Sequence, residues 1–368
     1  MLSSMRKIAS QQLKIALIAP PWFPVPPTGY GGIELVVSIL AEGLCRRGHD
    51  VTLFASGDSV TQARLVSVFD TATFNKLKEN VHLENIQSLA AYERAGEFDI
   101  IHDHDGYGSR LLGALTSRLL AKPVIATMHG PAEHYSLGFY QSLASDLLFV
   151  AISEYQRSSF SGIDFLATIP NAIKINDYPF SENADDYLLF VGRMSEEKGA
   201  RQAVSVANKL GKKLVMIGKC SEANEIKYFN EYVKPILGNN TEYLGEVDLA
   251  TKLELYRNAE CLLFPIQWPE PFGLVMIESM ACGTPVVAIR NGSVPEIVHH
   301  GRTGFIVEDE EGMVEAVKNI EGIERLECRK RVVEEYNEEV FIDRHELAYE
   351  NALTLNGQRK AGLSAHRL

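Results

Sequence analysis

No stretch of this 368-residue chain reaches the roughly 18 consecutive apolar residues of a membrane helix, so no spanning segment is expected. Cysteine is scarce. The five present, at 45, 220, 261, 282 and 328, are scattered and form no C-x-x-C pair. That argues against a thiolate zinc site or a disulfide framework and fits a reducing compartment. Met1–Gln12 is polar and lacks an apolar core, and Leu13–Pro20 is too short for the centre of a signal peptide, so the expected location is cytoplasmic. Positive charge is in deficit, with 36 Lys and Arg against 48 Asp and Glu and a net charge of −12. A nucleic-acid backbone is therefore not an expected partner, and any phosphate must be met by a local cluster of cations. Solenoid-period repeats and low-complexity tracts are absent as well.

What the chain has is a composition suited to large cores, 46% hydrophobic and 23% charged, and enough length for two or three domains of about 100–200 residues. Short apolar runs alternate with longer helical patterns, as in parallel β/α units. In the first half, strands are predicted over Leu13–Ala19, Val51–Ala55, Asp99–His102, Val124–Met128, Leu147–Ile152 and Leu166–Ile169. Helices are predicted over Ile33–Arg47 and Tyr107–Leu120, while Thr61–Leu89 and Pro131–Ser145 read as variable loops.

The polar stretch NDYPFSENADD, Asn176–Asp186, breaks the pattern, and a second series follows. Its predicted strands are Tyr187–Val191, Lys213–Ile217, Thr241–Leu244, Cys261–Phe264, Pro285–Ile289 and Gly304–Val307. Its predicted helices are Ala200–Leu210, Ala223–Leu237, Leu249–Asn258 and Phe272–Cys282. The expectation is an α/β protein of two Rossmann-like doubly wound domains, 1–176 and 177–337, facing across a cleft. A helical tail, 338–368, frays from Asn356. Such a cleft gathers carboxyl strand ends and helix N-termini, where ligands bind.

Five clusters fall at those ends. Gly29-Tyr30-Gly31-Gly32 follows the proline-rich Pro20–Pro27 loop and opens the first helix, where glycines let a ligand approach outward-pointing amides, or simply make a tight turn. Val191-Gly192-Arg193 closes a strand, with Lys198-Gly199 shortly after it. Two cations there suit a diphosphate, although Glu196 and Glu197 stand between them and local pairing would explain them too. Pro269–Glu278 is the most specific segment. Pro271 fits a first helical position, Glu270 sits at the helix mouth, and Glu278 lies eight residues on, about 80° past two full turns. Both carboxylates can accept from sugar hydroxyls along one elongated ligand, and the amides of Phe272, Gly273 and Leu274 are open. A glutamate amid Val275-Met276-Ile277 needs a partner.

His102-Asp103-His104-Asp105 suggests a metal, but neighbours on a strand point to opposite faces, so polar lining of the cleft by Asp103, His104 and Asp105 is preferred and no metal is expected. His129-Gly130 ends another strand and reads as a cleft histidine.

In this combination and order, the chain resembles the retaining glycosyltransferases of family 4 (GT4), with the two-Rossmann-domain GT-B architecture. The matching features run from Gly29–Gly32 through His129, Arg193, Lys198 and Glu270/Glu278 to Gly283-Thr284-Pro285-Val286-Val287 and Pro295-Glu296-Ile297-Val298. The opening Pro26–Glu34 also resembles a branch that includes antibiotic-tailoring sugar transferases. The resemblance implies transfer of a hexosyl group from a nucleotide-diphosphate sugar, UDP-glucose ahead of GDP-mannose, to a hydroxyl acceptor, with retention and without a metal or other cofactor.

It implies that Arg193 and Lys198, with Gly192, meet the diphosphate, approached by Gly31 and Gly32 from the other domain. Glu270 and His129 would contact the donor sugar and Glu278 the ribose, with Glu246 and Val247 near the base. The tail often packs back on the first domain in such proteins. A sugar-nucleotide epimerase and a non-catalytic sugar-nucleotide-binding protein are the alternatives on this architecture. The acceptor, whether sugar, small molecule or lipid-linked, is not coded by any motif.

Overall fold

The computed structural model describes residues 11–77, 80, 82–132 and 134–365. Most of the polar N-terminal stretch thus lies outside the described residues, as do 366–368. The N-terminal half runs β1 (Lys14–Ile18), α1 (Gly32–Arg46), β2 (Asp50–Phe54), β3 (Arg64–Val66), α2 (Phe74–Leu77), α3 (Leu83–Tyr92) and β4 (Ile100–Asp103). It continues through α4 (Tyr107–Leu120), β5 (Val124–Thr127), α5 (His134–Leu143), β6 (Leu148–Ala151), α6 (Glu154–Ser159) and β7 (Phe165–Thr168).

The C-terminal half runs β8 (Leu188–Val191), α7 (Ala200–Leu210), β9 (Leu214–Ile217), α8 (Ala223–Tyr228), β10 (Thr241–Tyr243), α9 (Leu249–Asn258) and β11 (Cys261–Phe264). It ends with α10 (Leu274–Ala281), β12 (Val286–Ile289), α11 (Val294–Ile297), β13 (Gly304–Val307), α12 (Glu310–Lys318), α13 (Arg325–Glu335) and α14 (Glu338–Ala365).

Both sheets are wholly parallel, ordered β3-β2-β1-β4-β5-β6-β7 and β10-β9-β8-β11-β12-β13. Most strands are buried end to end, as strands covered by helices on both faces must be, which is why they read as continuous apolar runs. The strand order reverses beside β1 and again beside β8, so each half opens a crevice at its carboxyl edge. The glycine-rich loop leaves β1 at the first crevice, and Gly192-Arg193 leaves β8 at the second.

Three expectations change. The two stretches read as loops hold β3, α2, most of α3 and α5. Ala223–Leu237 is not one α-helix: α8 stops at Tyr228 and continues as a π-turn over Phe229–Val233 and a 3-10 turn over Lys234–Ile236. Pro235, which lacks an amide donor and crowds the preceding turn, forces that ending. Helix α10 begins at Leu274, so neither Pro271 nor Phe272 is helical. The carbonyl of Pro271 accepts from the Ser153 hydroxyl at 2.6 Å and that of Phe272 from the Ser293 hydroxyl at 2.6 Å, and Gly273 at φ 88° turns the chain into the helix.

The polar stretch after Asn176 is anchored. Ile175–Asp177 is a 3-10 turn, Tyr178 is buried, and the Tyr178 carbonyl accepts from Arg329 at 2.7 Å. The chain crosses back to the N-terminal half where the Ile173 amide donates to the Tyr336 carbonyl at 3.0 Å, and α14 then packs on α1 and β7. Arg46 and Arg47 pair with Glu339 and Asp343 along this seam, but such exposed pairs contribute little. Burial of Phe341, Ile342, Ala348, Tyr349 and Ala352 in the core under α1 holds the helix. Gly43 leaves the room: a Cβ there would stand 2.4 Å from Ile342 Cδ1. The helix runs to Ala365, through most of the stretch read as frayed, and among the described residues no helix is long and apolar enough to cross a membrane.

Ile342→Ala is predicted to cost about 2–5 kcal/mol through the cavity it leaves. Denaturant unfolding of the full chain checks this, and an unshifted midpoint contradicts the docking of α14.

Candidate functional site

A cleft of about 520 Å³ lies between the carboxyl edges of the two sheets and is lined from both halves. The N-terminal wall is the Pro26–Gly32 loop with Leu35 and Ser38 of α1. The C-terminal wall carries Gly192, Arg193, Lys198, Lys219, Glu246, Val247, Glu270, Gly273, Leu274 and Glu278. The walls touch where Gly32 meets α10: a Cβ on Gly32 would stand 3.2 Å from Leu274 Cδ1.

The loops of the C-terminal wall are stitched together through glycines. At Gly199, with φ 76°, a Cβ would lie 1.9 Å from the Pro265 carbonyl oxygen, so only glycine brings the Lys198 loop against the segment leading to Glu270. The Gln267 amide donates to the Glu197 carbonyl at 2.8 Å along the same seam. Glu270 is held from behind, its carbonyl accepting from the Ser293 amide at 2.9 Å.

These loops bring charges of both signs together. Lys198 Nζ lies 2.5 Å from Glu270 Oε2 and 4.8 Å from the ring centre of Trp268. The Trp268 indole donates to the same Glu270 oxygen at 2.9 Å. Arg193 pairs with Glu197 and lies 3.5 Å from Glu225 Oε1. Of the two acids between the cations, Glu197 is thus a local partner.

Glu278 finds the partners its apolar setting demands. Lys252 Nζ lies 2.9 and 2.8 Å from its two oxygens, and the hydroxyls of Tyr256 and Tyr178 donate at 2.8 and 3.3 Å. Burial first, and then the Glu278 charge, push both tyrosine hydroxyls well above their ordinary pKa.

Other sequence candidates lie elsewhere. Phe272 is buried in the C-terminal core and does not line the cleft. Asp103, His104 and Asp105 do not line it either, which corrects their reading as cleft residues. Strand alternation explains it. Asp103 and Asp105 turn toward α3 and α4, where Asp103 accepts from Tyr92 at 2.8 Å and Ser109 at 2.7 Å, and Asp105 from Ser88 at 2.8 Å. His102 and His104 turn the other way, His102 toward Tyr349 of α14 at 2.9 Å. His129, half-buried after β5, is bonded through Nε2 to His104 Nδ1 at 2.9 Å and is not among the lining residues.

Sequence reasoning missed three lysines of the lining, Lys174, Lys219 and Lys252. Lys219 reaches from the end of β9 to within 4.4 Å of the Phe74 ring centre in the other half and 5.8 Å of Tyr30, while pairing with Glu222 at 3.0 Å. Gly218-Lys219 after β9 repeats the Gly192-Arg193 pattern after β8, and that was the available signal. Lys252 carries none beyond its place on α9.

Glu34, in the first turn of α1 behind the glycine loop, is buried and its Oε1 has no partner among the described residues. Desolvation raises its pKa to about 7 against backbone amides that oppose the shift. The native carboxyl keeps its proton up to about 7, whereas the unfolded one releases it near 4.5, so stability falls as pH rises between those values. Glu34→Gln is predicted to flatten that fall, matching the native protein at pH 4.5 and exceeding it at pH 8 in melting temperature. Parallel curves would contradict the assignment.

Comparison with known proteins matches the glycosyl transferases group 1 profile to residues 174–339 and the glycosyltransferase family 4 profile to residues 30–174. The phosphatidyl-myo-inositol mannosyltransferase of Mycolicibacterium smegmatis is 26% identical over 349 residues, covering 84% of each chain. The D-inositol 3-phosphate glycosyltransferase of Pseudarthrobacter chlorophenolicus is 25% identical over 353 residues, covering 80% of this chain and 83% of that one. Among solved structures, AviGT4, a glycosyltransferase involved in avilamycin A biosynthesis, matches with a TM-score of 0.73 at 27% identity, over 93% of this chain and 98% of its own. Anabaena Alr3699/HepE, solved with UDP-glucose, shares the fold at a TM-score of 0.70 and 20% identity, over 94% of this chain and 100% of its own.

Proposed function

The chain belongs to the family 4 glycosyltransferases of GT-B fold, and from that premise we propose that it moves a hexosyl group from a nucleotide-diphosphate sugar to a hydroxyl acceptor with retention of configuration. UDP-glucose is the first donor and GDP-mannose the second. The observation that carries this reading is the convergence on one cleft of Arg193 and Lys198 from the β8–α7 loop, Glu270 from the β11–α10 loop and Glu278 from α10.

In the free protein Lys198 and Glu270 satisfy each other. A donor would replace that pair with two better matches: phosphate oxygens for the Lys198 ammonium and sugar hydroxyls for the Glu270 carboxylate. Arg193 would exchange Glu197 for the diphosphate in the same way. As the glycosidic bond breaks, negative charge grows on the leaving diphosphate, and cations already in position stabilise it without reorganisation. Glu278, oriented by Lys252, Tyr256 and Tyr178, has acceptor capacity left for ribose hydroxyls. Glu246 and Val247 line the wall assigned to the base.

Retention would follow from attack on the face the leaving group vacates, with the departing phosphate oxygen taking the acceptor proton. Glycines 31 and 32 let the N-terminal wall approach the diphosphate, and closure of the halves would keep water from the activated sugar. His129, at the carboxyl end of β5, does not line the cleft of the free protein, and its assignment to the donor sugar rests on the resemblance to the family.

Lys198→Ala and Glu270→Ala are each predicted to lower kcat with UDP-glucose about 10²–10³-fold while circular dichroism and melting temperature show a folded protein. Wild-type turnover in both variants would overturn the site. Proton NMR of the first-formed product reads the anomeric configuration, and inversion would overturn retention.

A further inference from the structure

We infer that His104 is a positioning residue that holds His129 in the tautomer carrying its proton on Nδ1. The inference rests on the proposed use of His129 at the donor sugar, but the hold itself is a property of the folded protein.

Four imidazoles meet where β4 and β5 end. His102 of β4 and His104 just past its end have ring centres 4.2 Å apart, and His345 of α14 lies 5.5 Å from His102. His102 is fully engaged, bonded to Tyr349 at Nδ1 and to the Thr127 hydroxyl at Nε2. His345 Nδ1 is 2.9 Å from the Phe341 carbonyl, so it must carry its proton there. Neither can serve His104, whose Nδ1 contacts His129 Nε2 at 2.9 Å and whose Nε2 is buried with no partner among the described residues. The His104 and His129 rings lie within 27° of parallel, their centres 5.2 Å apart.

Burial keeps the pair neutral, reinforced at His129 by the buried Arg110 guanidinium, which bonds the Thr127 carbonyl at 3.1 Å. One N–H therefore lies between the two rings, and two arrangements can supply it. If His129 donates from Nε2, the His104 proton must sit on its own Nε2, a buried N–H with nothing to accept it. If His104 donates from Nδ1, its Nε2 keeps only a lone pair. Orphaned buried N–H groups are rarer in proteins than unfilled acceptors, so the second arrangement wins.

His129 Nε2 then accepts, and its proton is placed on Nδ1, which has no hydrogen-bond partner among the described residues. What His104 delivers is a neutral hydrogen-bond donor suited to an oxygen of an uncharged sugar. Without it, His129 would be free to move its proton to Nε2 and present a lone pair instead.

Two-dimensional NMR of the full chain with 15N-labelled histidine rings reads the tautomer directly. The His129 signals, assigned by their loss in His129→Gln, should show a protonated Nδ1 and a bare Nε2 at pH 7. A protonated Nε2 in the wild-type protein overturns the inference whatever the activity.

His104→Leu, which offers no donor, should lose the tautomer and lower kcat about 10–100-fold with the donor KM within a few-fold. His104→Asn, whose side-chain amide can replace the Nδ1–H, should retain the tautomer and most of the activity. A His104→Leu protein that keeps both the tautomer and full kcat also overturns the inference. If the tautomer is found and depends on His104, yet His129→Ala turns over UDP-glucose at the wild-type rate, the hold by His104 stands and the assignment of His129 to the sugar fails.

Discussion

Charges carried into a half-buried crevice must be neutralised, and in the free protein they neutralise one another. Lys198 rests on Glu270, Arg193 on Glu197, Lys252 on Glu278 and Lys219 on Glu222. Two of the pairs are local to one loop, while Lys198–Glu270 ties the loop after β8 to the loop after β11 and Lys252–Glu278 ties α9 to α10. On the proposed function, Lys198 and Arg193 would exchange their partners for phosphate oxygens and Glu270 for sugar hydroxyls, so that each charge stays paired when the donor binds. The glycines of the same wall serve this arrangement. Gly199 admits the Pro265 carbonyl and Gly218 the Gly192 carbonyl at distances no side chain would permit.

The N-terminal half contributes shape more than charge. Its glycine loop abuts Leu274, its aromatic pair Tyr30 and Phe74 receives Lys219, and its acidic strand-end residues are spent inside, tying β4 to α3 and α4. Docking of α14 under α1 makes this helix part of the N-terminal half, where Tyr349 joins the core and bonds His102 of β4. The halves are also joined beside the cleft. Both Glu296 oxygens accept from the amides of Glu154 and Tyr155, at 2.8 and 2.6 Å, and the Ser153 hydroxyl donates to the Pro271 carbonyl.

Much of this was legible in the sequence, for reasons that differ by element. A strand buried on both faces leaves a continuous apolar run, so β11 was read to the residue. Helices that begin or end at a glycine, such as α7, were read as well. The cations and acids of the C-terminal wall stood out because charge at a strand end or inside an apolar helix is costly without a purpose. Short elements between β2 and β4 were missed because α2 and β3 have too few residues to show a period. The placement of Asp103 and Asp105 was missed because alternation says that neighbours diverge but not which face meets the cleft. Lys219 and Lys252 were missed because a lysine on a loop or helix surface carries no signal until its neighbours in space are known.

The central claim is that the ion pairs of the free cleft are exchanged for the diphosphate and the sugar of one donor. Diffraction from crystals of the protein grown with UDP-glucose tests it most directly. The account predicts Lys198 Nζ and the Arg193 guanidinium on phosphate oxygens, with Glu270 released from Lys198 onto sugar hydroxyls. A bound UDP-glucose that leaves the Lys198–Glu270 and Arg193–Glu197 pairs intact would contradict it.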